Sequence, residues 1–200
     1  MTGEDSTERC RLFVAIPVPD AVRNEMIRVQ RELQPLAPAG AIRWARPDQF
    51  HLTLRFLGDV PSARVTALQE AVRAVCPGAS ALRLCAQGVG FFPNARSPRV
   101  IWARIKDDDR LAELQKKIQT AVHPFSTGPG GEHFAGHVTL GRFKQFKRQE
   151  TGKLAACAET MKDRVFGEWT AGEIEVIRSE LSPAGARHTV LAAFPLGAKD

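Results

Sequence analysis

The sequence lacks the features that mark membrane, secreted and zinc-knuckle proteins. Its 200 residues contain no apolar run near the roughly 20 residues that a membrane-spanning helix needs. The first ten residues are acidic and polar, the reverse of a signal or transit peptide. The four cysteines are scattered and form no Cys-x-x-Cys pair, so we expect reduced, structural thiols. Together these absences predict a soluble, cytoplasmic protein.

The common catalytic signatures are missing as well. No Walker sequence or dinucleotide fingerprint is present, so nucleoside-triphosphate chemistry is not indicated. No nucleophile elbow of the Gly-x-Ser-x-Gly type supports a serine triad. A zinc site on His51 and His137 would need a third ligand. His123, His133 and His188 exist, but no chelating His/Cys spacing favours such a site. We therefore expect no metal and no cofactor.

Composition and charge are those of a single globular protein that can bind a polyanion. Hydrophobic residues make up 44% and charged residues 25%, which are ordinary values, and the length fits one domain. The net charge is +6 at pH 7. The segment from Arg142 to Lys153 carries five cations against Glu150 alone. Such a run is either a solvated basic face or a contact for a polyanion.

Periodicity and breaker residues predict an α+β fold with largely antiparallel sheets. Several strands follow one another as hairpins, as in the segments Ala81–Ile105 and Gly172–Phe194. The predicted helices are Asp20–Leu33, Ser62–Val75, Asp107–Val122 and Gln149–Met161. The predicted strands are Arg11–Ile16, Ile42–Trp44, Phe50–Leu57, Ala81–Val89, Arg99–Ile105, His137–Phe143, Gly172–Leu181 and His188–Phe194.

One tetrapeptide pattern occurs twice. The segment His51-Leu-Thr-Leu54 is matched by His137-Val-Thr-Leu140. From the composition, His-x-Thr-Leu is expected by chance only about 0.02 times in a chain of this size. Each copy lies on the second strand of a strand–helix–strand stretch, so a duplicated lobe would bring the two copies together across a cleft.

The spacing predicts which side chains share a face. On a strand, residues i and i+2 point the same way, so His51 and Thr53 project together, about 6.5–7 Å apart along the chain. His137 and Thr139 do the same. Strict alternation also places Arg55 on the histidine face and Phe56 in the core. The pattern therefore predicts an imidazole and a hydroxyl displayed side by side on each strand.

Two such pairs suit hydrolysis at phosphorus. Two histidines can divide acid and base work, because their unperturbed pKa lies near 6.5. Two threonine hydroxyls and a nearby arginine can stabilise charge on the non-bridging oxygens during in-line attack by water. The residues alone do not say which histidine is the acid.

These motifs and their surroundings resemble the two-histidine phosphoesterase superfamily, and in particular its RNA 2′,3′-cyclic phosphodiesterase branch, also called 2′-5′ RNA ligase-like proteins. The matching stretches cover nearly the whole chain, in order. They are Arg11-Leu-Phe-Val-Ala-Ile-Pro17, Phe50-His-Leu-Thr-Leu-Arg-Phe-Leu-Gly58, Phe92-Pro-Asn94, Arg99-Val-Ile-Trp102 and Arg178-Ser-Glu-Leu-Ser-Pro183.

The resemblance implies a bilobal fold with a central groove, in a single domain over residues 11–200 after a flexible tail over residues 1–10. It implies metal-independent hydrolysis of a terminal 2′,3′-cyclic phosphate on RNA or a nucleoside to a 2′-phosphomonoester. His51 would be the proton donor and His137 the proton acceptor. Thr53, Thr139 and Arg142 would hold the phosphate. No obligate protein partner is implied, and we expect a monomer.

The chain departs from this pattern at two points. His188 stands where relatives often have tyrosine, and relatives usually carry proline directly before the second motif, where this chain has His133-Phe134-Ala135-Gly136. Phe92, Phe134 and Trp44 are candidates for stacking on a base, and Arg96 and Arg99 for following the RNA backbone. Two alternatives stay open: cleavage or ligation of 2′-5′ phosphodiester bonds, and binding of RNA ends without catalysis.

Overall fold

The strands form one continuous antiparallel sheet. The computed structural model describes residues 8–106, 109–127, 134–144, 152–182 and 185–197. Within these residues the strand order is β7-β4-β5-β6-β3-β1-β8-β9, and the short β2 pairs with β6. The strands are β1 (Arg9–Pro17), β2 (Ile42–Trp44), β3 (His51–Pro61), β4 (Leu82–Phe92), β5 (Val100–Lys106), β6 (His137–Phe143), β7 (Val165–Ala171), β8 (Glu173–Ser182) and β9 (Gly185–Pro195).

In the part of the chain that the structure describes, four α-helices cover one face of this sheet. They are α1 (Asp20–Leu33), α2 (Val65–Arg73), α3 (Arg110–Val122) and α4 (Gly152–Thr160). In α1, Val22, Met26, Val29 and Leu33 recur at helical spacing and are all buried. The main core lies between the helices and the sheet. The opposite face, called the helix-free face below, carries a second, small buried cluster of Phe13, Ala15 and Ile177.

The sheet curls around its helix-free face. The strand order places β9 three positions from β3, which in a flat sheet would separate the two by about 14 Å. Yet the rings of His188 on β9 and His51 on β3 have centroids only 5.0 Å apart. The helix-free face is therefore concave, and its two ends approach each other.

The two halves of the sheet meet at a single residue pair. Leu52 of β3 lies opposite Val138 of β6, and these are the second residues of the two tetrapeptides. Counted outwards from this pair, each strand of one half has a counterpart at the same position in the other half. The counterparts are β3 and β6, β1 and β5, β8 and β4, and β9 and β7. This arrangement confirms the predicted bilobal α+β fold with antiparallel pairing.

The predicted elements are largely present, with one omission. The bounds of α1, β2 and β6 agree with the prediction, and β4–β5 and β8–β9 are the predicted antiparallel pairs. The prediction missed β7, whose alternation is interrupted by Gly167 at φ +146°. The first strand begins at Arg9, and residues 1–7 of the predicted tail lie outside the described residues. Among the described helices, none combines the length and the apolar character required to cross a bilayer.

Candidate active site

The structure brings the four motif side chains together on the helix-free face. Leu52 and Val138 are fully buried towards the helices, so the residues that flank them point the other way. Continuing the antiparallel register from this pair places His51 beside Thr139 and His137 beside Thr53. All four are half-buried. The quartet thus lies at the seam between the two halves.

A β-bulge follows each motif and decides what comes next on each strand. In β3 the partner of Ala15 is Thr53 and the partner of Val14 is Arg55, which leaves Leu54 as the extra residue. Arg55 consequently turns to the helix side, where it is 8% exposed and donates to Ser126 Oγ at 3.0 Å. The prediction that Arg55 shares the histidine face is wrong for this reason.

The same bulge brings Phe56 to the helix-free face. Phe56 pairs with Phe13, contacts its ring at 5.7 Å and is 57% exposed. The prediction that Phe56 belongs to the core is therefore also wrong. Phe56 forms part of the wall of the groove instead.

In β6 the extra residue is Leu140. Trp102 of β5 pairs with Thr139, and Ile101 pairs with Gly141, so Arg142 returns to the face of Thr139. Gly141 separates the second tetrapeptide from Arg142, and the bulge accommodates this extra residue. Arg142 lies five positions after His137 and points into the groove, beside the predicted phosphate-binding residues.

A glutamine from a helix donates to the backbone at each bulge, and of the two Gln30 is buried and Gln115 half-buried. Gln30 of α1 donates from Nε2 to the carbonyls of Leu140, at 2.7 Å, and Ala45, at 2.8 Å. Gln115 of α3 donates from Nε2 to the carbonyl of Leu54 at 3.3 Å. The two helices thus supply side-chain donors to the carbonyl groups of both bulge residues, and the carbonyl of Leu140 also accepts from the backbone N–H of Ala45 at 2.9 Å. Sequence reasoning missed both residues, although Gln30 was visible as a polar residue on the apolar side of α1.

The ring of His137 is fixed by a backbone hydrogen bond. Its Nδ1–H donates to the carbonyl of Ala135 at 2.7 Å, which leaves Nε2 with a free lone pair. Phe92 contacts the ring edge-on at 4.9 Å and stacks on Trp102 at 4.8 Å. Of the predicted stacking residues, only Phe92 lies in the groove, because Trp44 and Phe134 pack against the main core.

The ring of His51 lies in a cluster of three rings. It contacts Phe13 at 4.6 Å and His188 at 5.0 Å, and His188 also contacts Phe13 at 5.1 Å. The backbone of Gln49, two residues before the motif, raises the pKa of His51, as the backbone of Ala135 does for His137. Sequence reasoning noted His188 only as a departure from the family pattern and did not connect it with His51.

The electrostatics of the groove keep both motif histidines neutral. Burial is the largest cause that lowers the pKa of His51, to about 3, and the charges of His188 and Arg142 act in the same direction. Burial also lowers the pKa of His137, and Arg142 contributes there too. Burial in turn lowers the pKa of Arg142. One cation, Arg142, therefore acts on both imidazoles.

Next to His188 lies an ion pair between Arg46 and Asp48, in the short turn before the first motif. Arg46 and Asp48 form a two-point ion pair with nitrogen–oxygen distances of 3.0 and 2.8 Å. Arg46 and Gln49 both donate to the carbonyl of Ala186, at 3.2 and 2.6 Å, which holds the turn Pro47–Gln49 against β9. Burial lowers the pKa of His188, and the negative charge of Asp48 opposes that effect.

Some predicted residues lie away from the quartet or outside the described residues. His123 is exposed in a turn after α3. Arg96 and Arg99 are exposed beside the end of β5. His133 and most of the basic run after Lys144 lie outside the described residues. Among the residues that the structure does describe, no group of three His, Cys, Asp or Glu side chains could hold a metal ion.

Known proteins resemble this chain over nearly its full length. A family model described as LigT like Phosphoesterase matches residues 16–102. The RNA 2′,3′-cyclic phosphodiesterase of Thermus thermophilus is 31% identical over 192 residues, 93% of this chain and 90% of that protein. The enzyme of the same name from Methanothermobacter thermautotrophicus is 27% identical over 188 residues, 94% of this chain and all of that protein. The crystal structure of TT0787 of Thermus thermophilus superimposes with a TM-score of 0.77 at 27% identity, over 95% of this chain and all of that one.

Proposed function

Because the chain belongs to the family of LigT-like phosphoesterases, we propose that it hydrolyses the terminal 2′,3′-cyclic phosphate of RNA or of a nucleoside to a 2′-phosphomonoester. His51 donates a proton to the departing 3′-oxygen, and His137 accepts a proton from the attacking water. Thr53, Thr139 and Arg142 bind the phosphate. The reaction needs no metal, because the two imidazoles supply the acid and the base and the hydroxyls and the guanidinium supply the charge stabilisation.

One observation carries this proposal: Leu52 lies opposite Val138. That pairing places both imidazoles on one open face, as diagonal neighbours on adjacent strands. For regular pairing the Cβ atoms of such neighbours are about 7–8 Å apart. A phosphoryl group fits between two rings at that spacing, with water on one side and the leaving oxygen on the other, as in-line displacement requires.

His137 has the properties of a base. Its Nδ1–H is held by the carbonyl of Ala135, so the lone pair of Nε2 is available to a water molecule in the groove. The lowered pKa of His137 keeps the ring unprotonated at neutral pH. Both the tautomer and the charge state therefore suit proton removal.

His51 becomes an acid once the substrate is bound. In the free protein its pKa of about 3 leaves it neutral at pH 7. A single negative charge about 4 Å away contributes roughly 4 kcal/mol at an effective dielectric constant of 20, which corresponds to about 3 pKa units. The cyclic phosphate carries one such charge, so its binding returns the pKa of His51 towards the ordinary range.

The remaining residues stabilise the transition state. The hydroxyls of Thr53 and Thr139 donate hydrogen bonds to the non-bridging oxygens from the two halves of the groove. Arg142 offsets the charge that accumulates there. Phe56 and Phe92 provide apolar surface on either side for the terminal nucleoside.

The test is turnover of a nucleoside 2′,3′-cyclic phosphate in the presence of EDTA, followed by phosphorus NMR. We expect a 2′-phosphomonoester to form, and His51→Ala and His137→Ala each to lower kcat by about 10²–10⁴-fold. His123→Ala, which changes an exposed histidine away from the groove, is the matched control and should behave as the wild type.

Three results would overturn the proposal. Unchanged turnover in both motif variants would show that His51 and His137 are not the acid and the base. Faster cleavage of a 2′-5′-linked dinucleotide than of the cyclic phosphate would show that the 2′-5′ linkage is the preferred substrate. Tight binding of cyclic-ended RNA without turnover between pH 5 and 9 would make the protein a binding protein.

A further inference from the structure

Two arginines lie directly opposite each other beside the quartet. Arg43 of β2 pairs with Arg142 of β6, and both are exposed on the helix-free face. Their strand neighbours point the other way, since Ile42 is buried and Trp44 packs against the main core. Two guanidinium groups therefore emerge side by side from adjacent strands.

This pairing is unfavourable by itself. Like charges directly opposite on a sheet destabilise it. Several other arginines form ion pairs with carboxylates, as Arg164 does with Glu32 at 2.7 Å. No carboxylate of the described residues forms an ion pair with Arg43 or Arg142, and the nearby Asp48 is held by Arg46. A guanidinium group such as that of Arg43 binds a phosphate through charge-assisted hydrogen bonds.

Arg43 lies beyond the reach of the cyclic phosphate itself. Beyond the Leu52–Val138 pair β3 leaves β6, and from Gly141 onwards β2 pairs with β6 along the same edge. Three residues of strand, about 10 Å, separate the backbone of Thr139 from that of Arg142 and its partner Arg43. A single phosphoryl group cannot span that distance. The charge of Arg142 acts back on both motif histidines, whereas Arg43 is not among the charges that act on them. Arg43 is therefore placed to bind a second anion.

The pairing of Arg43 with Arg142 gives the second half of the groove a pair of cations that the first half lacks within the described residues. The position equivalent to Arg142 in the first half is Phe56, an exposed aromatic ring. Within the described residues, no strand pairs with β3 in the way that β2 pairs with β6. A polyanionic strand is consequently attracted towards β2 and not towards the wall formed by Phe56 and Phe13.

We propose that Arg43 binds the phosphodiester that precedes the cyclic-phosphate nucleotide in an RNA strand, while Arg142 binds the cyclic phosphate. This inference rests on the proposed function and makes an oligonucleotide the preferred substrate over a mononucleoside. The RNA leaves the site over β2 and the end of β6. Arg43 is then a residue that determines substrate length.

The experiment compares a dinucleotide ending in a 2′,3′-cyclic phosphate with the matching mononucleoside 2′,3′-cyclic phosphate. We expect the wild type to have a kcat/KM at least about 10-fold higher for the dinucleotide. In Arg43→Gln, kcat/KM for the dinucleotide should fall about 10- to 100-fold, the range for losing charge-assisted hydrogen bonds. The fall in kcat/KM for the mononucleoside should be at least ten times smaller. Arg43→Lys should recover part of the loss.

Two controls separate this effect from misfolding and from general charge. Arg31→Gln removes an exposed cation from α1, on the helix side, and should leave both rates unchanged. The melting temperature of Arg43→Gln should equal or exceed that of the wild type, because the variant relieves the repulsion with Arg142. The slope of log kcat/KM against log salt for the dinucleotide should become shallower by about one.

The outcomes distinguish this inference from the proposed function. If the wild type hydrolyses both substrates equally well, or Arg43→Gln slows both to the same degree, the second anion site is wrong and the phosphodiesterase stands. If the wild type hydrolyses neither substrate, the proposed function itself fails.

Discussion

Phe56 and Arg142 occupy the same position in the two halves of the sheet. Each lies five residues after its motif histidine, and each is turned into the groove by a bulge at the intervening leucine. The first copy thus contributes an exposed aromatic ring where the second contributes a cation. The groove is symmetric in backbone and asymmetric in chemistry, which is what a substrate with one anionic and one aromatic end requires.

Arg142→Gln should raise the pKa of both motif histidines. The charge of Arg142 lowers the pKa of His51 and of His137, so its removal favours the protonated rings. The C2–H resonances of the two rings, followed by NMR between pH 3 and 8, would show the change. Lys116→Gln, on the helix side, is the control, and equal titration curves in Arg142→Gln and the wild type would contradict the prediction.

Thr53→Val and Thr139→Val should each lower kcat/KM for the cyclic phosphate by about 10–10³-fold. Valine keeps the shape of threonine but removes the hydroxyl that donates to a non-bridging oxygen. Thr53→Ser and Thr139→Ser keep the donor and should retain most of the activity. Steady-state kinetics of the four variants test this, and loss of activity in the serine variants would assign the threonines a packing role instead.

Acidification should destabilise the folded protein through His51. In the unfolded chain a histidine binds its proton near pH 6.5, whereas the native ring does so near pH 3. Between these values the unfolded state holds more protons, so the free energy of unfolding falls as the pH decreases from about 6.5 towards 3. At pH 4.5 this amounts to about 2–3 kcal/mol.

His51→Gln isolates that contribution. Urea unfolding at pH 7.5 and 4.5 should show a smaller loss of stability in the variant, because glutamine does not titrate. His137 and His188 remain and act in the same direction, so part of the dependence should persist. An identical loss of unfolding free energy in the variant and the wild type would show that His51 is solvated and has an ordinary pKa.

His188→Phe should raise the pKa of His51 while preserving the ring cluster. Phenylalanine can keep the contacts with Phe13 and His51 but carries no charge, and the charge of His188 lowers the pKa of His51. His188→Ala should instead destabilise the protein by about 1–2 kcal/mol by leaving a gap beside Phe13. NMR titration and urea unfolding measure the two effects, with the exposed Val190→Ala on the same strand as control.

Gly90→Ala should impair the site without touching a motif residue. A Cβ at Gly90 would collide with the indole of Trp102, which stacks on Phe92 against His137. We expect a loss of about 1–3 kcal/mol in stability, together with a lower kcat. Gly78→Ala, where a Cβ meets nothing within 4 Å, is the matched control. Full activity in Gly90→Ala would show that the packing of Trp102 and Phe92 does not support His137.

Much of the fold was predictable because local pattern and final structure agree. The apolar spacing of α1 and the prolines on either side of it, Pro19 and Pro35, were sufficient to place both of its ends. The repeated tetrapeptide predicted that His51 and His137 would face the same groove, and the structure brings them to neighbouring strands. These features depend on short-range periodicity, which the sequence displays directly.

The misplaced residues share a different cause. Alternation along a strand predicts faces only while the ladder is regular, and a bulge reverses the assignment for every residue after it. Arg55 and Phe56 exchanged faces for this reason. The glutamines that stabilise the bulges come from distant helices, so nothing near Leu54 or Leu140 announces the irregularity.

The contact between His188 and His51 has a consequence for how the protein folds. The two rings are 137 positions apart in the chain, and they meet only after the hairpin of β8 and β9 has docked on β1. Contacts of such long sequence separation form late and slowly. During synthesis, a nascent chain that already contains both His-x-Thr motifs therefore still lacks the ring that lowers the proton affinity of His51. The proton affinity of His51 reaches its final value only when the last strand closes the curl.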